Sequence, residues 1–110
     1  MEKFVKGDVV VTPFPFSDLK SNKRRPALII ADLHGDDVIM CQITSKNVSD
    51  SYAISLLNED FESGDLPVES NIRANRLFTA DTKIIIKIAG KIKNEKLDQV
   101  VHKVVEILTV

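Results

Sequence analysis

The segment that most constrains the fold lies near the N-terminus, where two short apolar runs enclose a long polar loop. The runs, residues 9–11 and 27–30, are rich in β-branched side chains, a pattern typical of strands. A turn between paired strands needs only about two to five residues, whereas this loop is longer and cationic. Its positive charges lie close together and are Lys20, Lys23, Arg24 and Arg25. A cationic loop between strands is suited to holding an anion, and a nucleic-acid phosphate is the best candidate.

Other apolar runs continue this β pattern along the chain. Strands are predicted where apolar residues alternate or run continuously, at residues 4–12, 27–31, 38–44, 52–57 and 84–88. The stretch 27–31 has the pattern of a strand that is buried on both faces. Connecting segments are predicted as a turn at 32–37, a polar loop at 45–51, an acidic irregular loop at 58–68 and a bend at 89–91. Residues 70–79 fit either a strand or a loop.

The C-terminal segment, residues 94–108, predicts a helix. Asn94 is a suitable N-cap, and Glu95 in the first turn complements the helix dipole. The apolar residues recur at three- and four-residue spacing, which predicts one apolar stripe made of Leu97, Val100, Val101, Val104, Val105 and Leu108. We therefore expect a single, mainly β domain over residues 1–110, with a C-terminal helix packed on the strands.

Composition narrows the class of protein. Lys and Arg together number 15 against 16 Asp and Glu, which argues against a histone-like coating of nucleic acid but leaves room for a local basic site. Cys41 lies in an apolar run and is expected to be a small buried hydrophobe. One cysteine and the distant His34 and His102, both expected to face solvent, predict no metal site. No apolar run reaches the roughly 20 residues that cross a membrane. A cytoplasmic protein is expected.

Arg25 and Thr44 form the one pair that the sequence places together. If residues 27–31 pair with residues 38–44 through the turn at 32–37, the start of the first strand lies beside the end of the second. Arg25 can then grip a phosphate with its guanidinium, and Thr44 can orient a phosphate oxygen. The alternative interpretation is ordinary: a solvated cationic loop, and hydroxyls that only form a turn.

Two further charged groups can be interpreted as structural or as functional. The acidic residues Glu59, Asp60, Glu62 and Asp65 lack the alternating spacing of a calcium loop and are interpreted as a solvated surface. Arg73 and Arg76 are either a second cationic point or ion-pair partners of Asp81 or Glu69. The sequence leaves these two alternatives open.

The ordered set of motifs resembles the MazF/PemK-like family of type II toxin–antitoxin toxins. The resemblance covers nearly the whole chain and rests on Gly7-Asp8-Val9-Val10, Arg25-Pro26 before an apolar strand, Gln42-Ile43-Thr44-Ser45, Ser70-Asn71-Ile72, Thr79-Ala80-Asp81, and Gly90 before the closing helix. It implies a small SH3-like β-barrel of the CcdB/PemK type with a C-terminal helix. It also implies a metal-independent endoribonuclease, without cofactor, that cuts single-stranded RNA. The ribose 2′-OH then attacks the adjacent phosphate and leaves a 2′,3′-cyclic phosphate and a 5′-OH.

The resemblance also assigns roles to residues. Arg25 matches the catalytic arginine, a general acid/base or transition-state stabiliser, and Thr44 matches the hydroxyl that holds the scissile phosphate. Ser21 is placed like a loop serine that assists RNA binding or catalysis. The remaining residues expected to contact RNA are Lys20, Lys23, Arg24, Ser45 and Lys46.

Partners follow from the same resemblance. We expect a cognate antitoxin, a homodimer, and contact with DNA only through an antitoxin complex. Because one helical stripe is enough to cover the chain's own sheet, the dimer interface is expected near the strands and their loops. Two alternatives stay open: a protein-binding toxin of the same fold, like the CcdB-type gyrase poisons, and an inactive relative that binds only RNA or antitoxin.

Overall fold

The chain forms a mainly β structure with one helix at its C-terminus. A computed structural model describes residues 3–13 and 24–110. The strands of this described part are β1 (Asp8–Pro13), β2 (Arg24–Asp32), β3 (Asp37–Thr44), β4 (Ala53–Leu56), β5 (Phe61–Gly64), β6 (Ser70–Asp81) and β7 (Lys87–Ile92). The helix is α1 (Asn94–Thr109), and two short 3-10 turns occupy Asn58–Asp60 and Thr82–Ile84.

All seven strands belong to one antiparallel sheet in the order β4-β6-β3-β2-β1-β7-β5. The sheet curls into a half-barrel, and α1 packs against it, which confirms the predicted mainly β fold with a C-terminal helix. The β2–β3 hairpin lies at its centre, with Leu28 paired to Cys41 and Ala27 paired to Gln42. The turn at residues 32–37 is therefore confirmed as the connection that joins these two strands.

The two faces of the sheet carry two separate cores. The larger core contains Val9, Leu28, Cys41 and Ile43 and is closed by the helix. The smaller core consists of the alternate residues of the same strands: Val10, Ala27, Ile29, Val38 and Met40. Ala27, Leu28 and Ile29 are all fully buried. This confirms that the middle of β2 is covered on both faces.

The predicted strand at residues 84–88 is wrong in its position. The Asp81 carboxylate accepts a hydrogen bond from the backbone N–H of Lys83 and caps a 3-10 turn, so the chain bends where a strand was expected. The strand begins only at Lys87, which pairs with Val11, and it includes the predicted bend at 89–91. Ile84 and its alternate neighbours Ile86 and Ile88 are exposed.

The segment at 58–68 is also more ordered than predicted. It contains the 3-10 turn Asn58–Asp60 and strand β5, because Phe61 is buried in the larger core. Residues 70–79, which fitted either strand or loop, lie within the long strand β6. The first strand begins at Asp8 rather than at residue 4.

The helix is confirmed, but its start and its apolar surface differ from the prediction. The N-cap is Lys93 and not Asn94, which is the first helical residue. The Lys93 side chain makes no capping hydrogen bond. Leu97, Val100 and Val104 are buried, whereas the other three predicted stripe residues are exposed: Val101, Val105 and Leu108. The sheet therefore covers only part of the apolar stripe, and one edge of the stripe is exposed. In the described part of the chain, no helix is long and apolar enough to cross a membrane.

Candidate functional site

A groove of about 730 Å³ lies where β2 and β7 begin and β3 ends. Such a volume is within the range of ligand-binding clefts. We call its first side the strand side, formed by Arg24, Arg25, Thr44 and Ser45. The loop side, between β5 and β6, is formed by Asp65, Leu66, Pro67 and Val68. Between them lie Val11, Ile86, Lys87 and Ile88.

Arg25 is part of a strand and not of a loop, which corrects the sequence interpretation. Because β1 continues to Pro13, β2 extends back to Arg24, and Arg25 pairs directly with Thr12. Arg25 is half-buried, and its Nε has no hydrogen-bond partner among the described residues. Its guanidinium is thus carried by a paired backbone, while Arg24 beside it is exposed.

Thr44 lies across the hairpin from Arg25. The register pairs Ala27 with Gln42, and two more residues along each strand bring Arg25 opposite Thr44 on one face. Both residues line the groove, as the hairpin argument predicted. Thr44 Oγ1 accepts a hydrogen bond from the backbone N–H of Lys46 at 3.2 Å. The hydroxyl hydrogen of Thr44 therefore remains available to a ligand oxygen.

The loop at 45–51 is held to β6 at both of its ends. Asn71 Nδ2 donates to the Lys46 carbonyl at 3.2 Å, and Arg73 Nη2 lies 3.1 Å from Asp50 Oδ2. The partner of Arg73 is thus Asp50, so the alternative of an ion pair with Asp81 or Glu69 is wrong for this arginine. The Lys46 side chain is exposed and does not line the groove, unlike its neighbour Ser45.

Sequence reasoning missed the rest of the groove. The sequence predicts Lys87 only as part of a strand rich in isoleucine, and Asp65 as part of a solvated acidic loop. Lys87 reaches the site because β7 pairs with β1, and Asp65 because β5 pairs with β7. Both pairings join distant parts of the chain, so no local sequence signal indicated them. Asp65 is exposed, as predicted, but it faces the groove.

The charges of the groove favour an anion. Arg24, Arg25 and Lys87 contribute three positive charges, and Asp65 contributes one negative charge. Guanidinium groups bind phosphate bidentately, and the apolar side chains between the two sides of the groove can contact an apolar part of a ligand. The groove can therefore hold a ligand that has both an anionic and an apolar part.

Other candidate groups lie away from the groove. Burial raises the pKa of the Cys41 thiol to about 12, so it is neither a ready nucleophile nor a ready metal ligand. His34 and His102 are exposed, as predicted. In residues 3–13 and 24–110, no three His, Cys, Asp or Glu side chains are grouped to hold a metal ion. Ser21, Lys20 and Lys23 lie outside the described residues.

The fold and the groove together define a small curled-sheet protein with a cationic cleft at its strand ends. Residues 5–108 match the family of PemK-like, MazF-like toxins of type II toxin–antitoxin systems. The chain belongs to this family. This confirms the resemblance that the sequence motifs indicated. Comparison with curated proteins gave no significant match.

Solved structures with similar folds include several toxins. MazF from Deinococcus radiodurans superposes with a TM-score of 0.79 at 18% identity, covering 100% of both chains. An endoribonuclease in complex with its cognate antitoxin, from a mycobacterial species, gives 0.76 at 15% identity and covers 98% of this chain and 97% of that one. The Mycobacterium tuberculosis toxin MazF-mt6 gives 0.72 at 13% identity, covering 94% and 97%. At these identities the likeness shows the fold.

Proposed function

We propose that the protein is a metal-independent endoribonuclease that cleaves single-stranded RNA as the toxin of a type II toxin–antitoxin system. The observation that carries the proposal is that Arg25 and Thr44 line one cationic groove from facing strands. Family membership supports the toxin class, and similar structures described as endoribonucleases support the reaction class. A single domain acting in the cytoplasm is part of the proposal.

The proposed chemistry needs a bound phosphate and a stabilised transition state. The ribose 2′-OH attacks the adjacent phosphorus, the bond to O5′ breaks, and the products are a 2′,3′-cyclic phosphate and a 5′-OH. Negative charge grows on the non-bridging oxygens as the new bond forms. Arg25 donates to these oxygens and serves as stabiliser or acid/base, and Thr44 donates its free hydroxyl hydrogen.

The other predicted residues have supporting roles in the proposal. Arg24 and Ser45, which line the groove, bind the RNA backbone next to the cleaved bond. Lys46 attracts RNA from the exposed loop, and its backbone orients Thr44. Lys20, Lys23 and Ser21 are assigned to RNA binding, with Ser21 assisting catalysis. Electrostatic attraction of this kind weakens as salt is added.

The proposed partners are a cognate antitoxin and a second copy of the chain. Similar structures from Deinococcus radiodurans and a mycobacterial species contain the antitoxin. A homodimer is part of the proposal, and its interface is not restricted to the strands and their loops. Val101, Val105 and Leu108 are exposed, so the helix has an apolar surface that the chain's own sheet does not cover. DNA contact, in this proposal, occurs only through the antitoxin complex.

Cleavage of a long RNA in the presence of EDTA tests the proposal. The wild-type protein is expected to give discrete fragments with 2′,3′-cyclic phosphate ends. Arg25→Ala is expected to lower the cleavage rate by about 100- to 1,000-fold or more, because charge stabilisation is lost. Its Tm is expected to change by no more than about 5 °C. Arg76→Ala is the matched control, since Arg76 is exposed on β6 and does not line the groove.

The same assay separates the alternatives. Intact RNA together with stalled gyrase on DNA would favour a protein-binding toxin of the same fold. A protein that binds RNA without cleaving it, or that binds only the antitoxin, would instead be an inactive relative. Full cleavage by Arg25→Ala would remove the central claim about the site, even if the protein cuts RNA.

A further inference from the structure

Thr12 is a buried polar residue that the proposed reaction does not use. It is fully buried, and its Oγ1 has no hydrogen-bond partner among the described residues. Thr12 also does not line the groove. A buried hydroxyl without a partner destabilises a fold, and an apolar residue of the same shape would be at least as stable. Packing alone therefore does not explain the hydroxyl.

The register of the sheet places this hydroxyl next to Arg25. Thr12 and Arg25 are direct partners in the β1–β2 pair, so their side chains lie on the same face. Side chains of such partners are within reach of each other. The Nε of Arg25 is itself buried without a partner in the described chain. One unpaired acceptor and one unpaired donor thus belong to neighbouring residues.

The chemistry of the two groups is complementary. A threonine hydroxyl accepts hydrogen bonds through its oxygen lone pairs, and the guanidinium Nε–H is a donor only. If Oγ1 accepts from Nε–H, the plane of the guanidinium is fixed and its two terminal nitrogens stay free for a ligand. Pre-organisation of this kind strengthens the interaction with developing charge, because less freedom is lost in the reaction.

We propose that Thr12 is a positioning residue for Arg25, whose Nε–H donates a hydrogen bond to the Thr12 hydroxyl in solution. The catalytic consequence rests on the proposed function, since it concerns the same arginine. Thr12 acts through Arg25 and does not touch the RNA. The expected signature is therefore a change in kcat with little change in KM.

Two substitutions separate the hydroxyl from the packing of the side chain. Thr12→Val keeps the shape and removes the hydroxyl, and it is expected to lower kcat about tenfold, the effect of one positioned hydrogen bond. KM should stay within about twofold, and Tm should fall by no more than about 5 °C, because one hydrogen bond is lost while the shape of the side chain is kept. Thr12→Ser keeps the hydroxyl and should retain kcat within about threefold. Thr79→Val, at an exposed position of β6, is the control for a threonine-to-valine change.

A second measurement does not depend on RNA cleavage. The side-chain Nε–H signal of Arg25, assigned in nitrogen-15 NMR spectra by its loss in Arg25→Lys, should exchange slowly with water in the wild type and in Thr12→Ser. In Thr12→Val the exchange should be at least about fivefold faster, because the acceptor is gone.

Each other outcome has a defined meaning. Equal exchange in wild type and Thr12→Val overturns the inference, as does wild-type kcat in Thr12→Val. Equal losses of kcat in the valine and serine variants, or a fall in Tm of more than about 10 °C in Thr12→Val, would assign Thr12 to packing and overturn it too. If the wild type cleaves no RNA, the proposed function fails, and the NMR exchange alone decides whether Thr12 positions Arg25.

Discussion

The two sides of the groove are built differently. On the strand side, the two residues proposed for the chemistry each lie opposite a partner in a neighbouring strand: Arg25 opposite Thr12, and Thr44 opposite Asn71. The loop side is a connection between strands, in which Leu66 is buried and the residues around it are exposed. The comparison teaches that the groups proposed for chemistry are on the more constrained side. In the proposed function, the loop side is left to contact other parts of the RNA.

The loop side depends on one close backbone contact. Gly64 precedes the loop with a φ of 69°, and it pairs with Gly90 on β7. A Cβ at Gly64 would lie 2.6 Å from the Cα of Gly90, and it would collide with the carbonyl oxygen of Ala89. Because these atoms belong to backbone, the neighbour cannot rotate away. β5 must therefore move if a side chain is added.

Gly64→Ala is expected to have the largest effect on stability. Both the positive φ and the collision oppose it, so the free energy of unfolding should fall by about 3 kcal/mol or more. Urea unfolding followed by circular dichroism measures the change. RNA cleavage should decline through disorder of the loop side, while the β2–β3 hairpin keeps its register.

Gly35→Ala is the matched control for this substitution. Gly35 also has a positive φ, of 81°, but a Cβ there would meet no atom within 4 Å. Its cost should be only about 1 kcal/mol, from backbone strain alone. Equal losses at the two glycines would mean that the close contact between β5 and β7 does not support the loop side.

Arg73→Ala tests how firmly the loop after Thr44 is held. The pair with Asp50 is partly exposed, so we expect a loss of at most about 1 kcal/mol in stability. Asp50 also accepts hydrogen bonds from the backbone N–H groups of Tyr52 and Ala53, and these remain. The KM for RNA should rise by about two- to fivefold with little change in kcat, as loop freedom increases.

Arg76→Ala again provides the comparison for Arg73→Ala. It removes an arginine from the same strand, and Arg76 is exposed. A matching rise of KM in both variants would indicate general loss of positive charge and not release of the loop. A fall of kcat in Arg73→Ala as large as that expected for Arg25→Ala would show that the loop controls Thr44 more strongly than the strand does.

The strand side could be predicted from sequence because its information is local. The turn at 32–37 and the two apolar runs beside it fix one hairpin, and that hairpin brings Arg25 to Thr44. Only the length of β2 differs, since the strand begins at Arg24 and not at Ala27. Arg24 and Arg25 belong to the sheet because β1 continues to Pro13 and pairs with them. This extension depends on the partner strand and not on the residues of β2 themselves.

The loop side could not be predicted because it depends on pairing between distant strands. The isoleucine run before Lys87 has a strong strand pattern, yet a 3-10 turn capped by Asp81 occupies its start. Likewise, the acidic segment around Phe61 has no apolar strand pattern, yet a short strand forms there because the Phe61 ring is buried. Apolar periodicity indicates which residues are buried, but not which strands become neighbours.

Labelling of the Cys41 thiol tests the strand side. Its expected effect is the smallest, because no reaction is expected in the native protein. Cys41 is buried on β3, three residues before Thr44, and burial raises the pKa of its thiol to about 12. A thiol-labelling reagent at pH 8 should therefore not react with the native protein and should react fully in urea. Gly64→Ala should show the same protection below its unfolding midpoint, because its damage lies on the loop side. Labelling of native wild-type protein at a rate independent of urea would show that β3 opens locally, and the strand side would not be the constrained one.

The Cys41 thiol also makes the free energy of unfolding depend on pH, and the sign of this dependence follows from its raised pKa. The folded state keeps the Cys41 proton to a higher pH than the unfolded state does. Its contribution to stability is thus complete below the ordinary thiol pKa near 9 and is lost as the pH rises from there towards 12. The difference in urea midpoint between wild type and Cys41→Ala should be constant from pH 6 to about 8 and should shift against the wild type above about 9. A difference that does not change with pH would mean that water reaches Cys41, and hence the strand beneath Thr44.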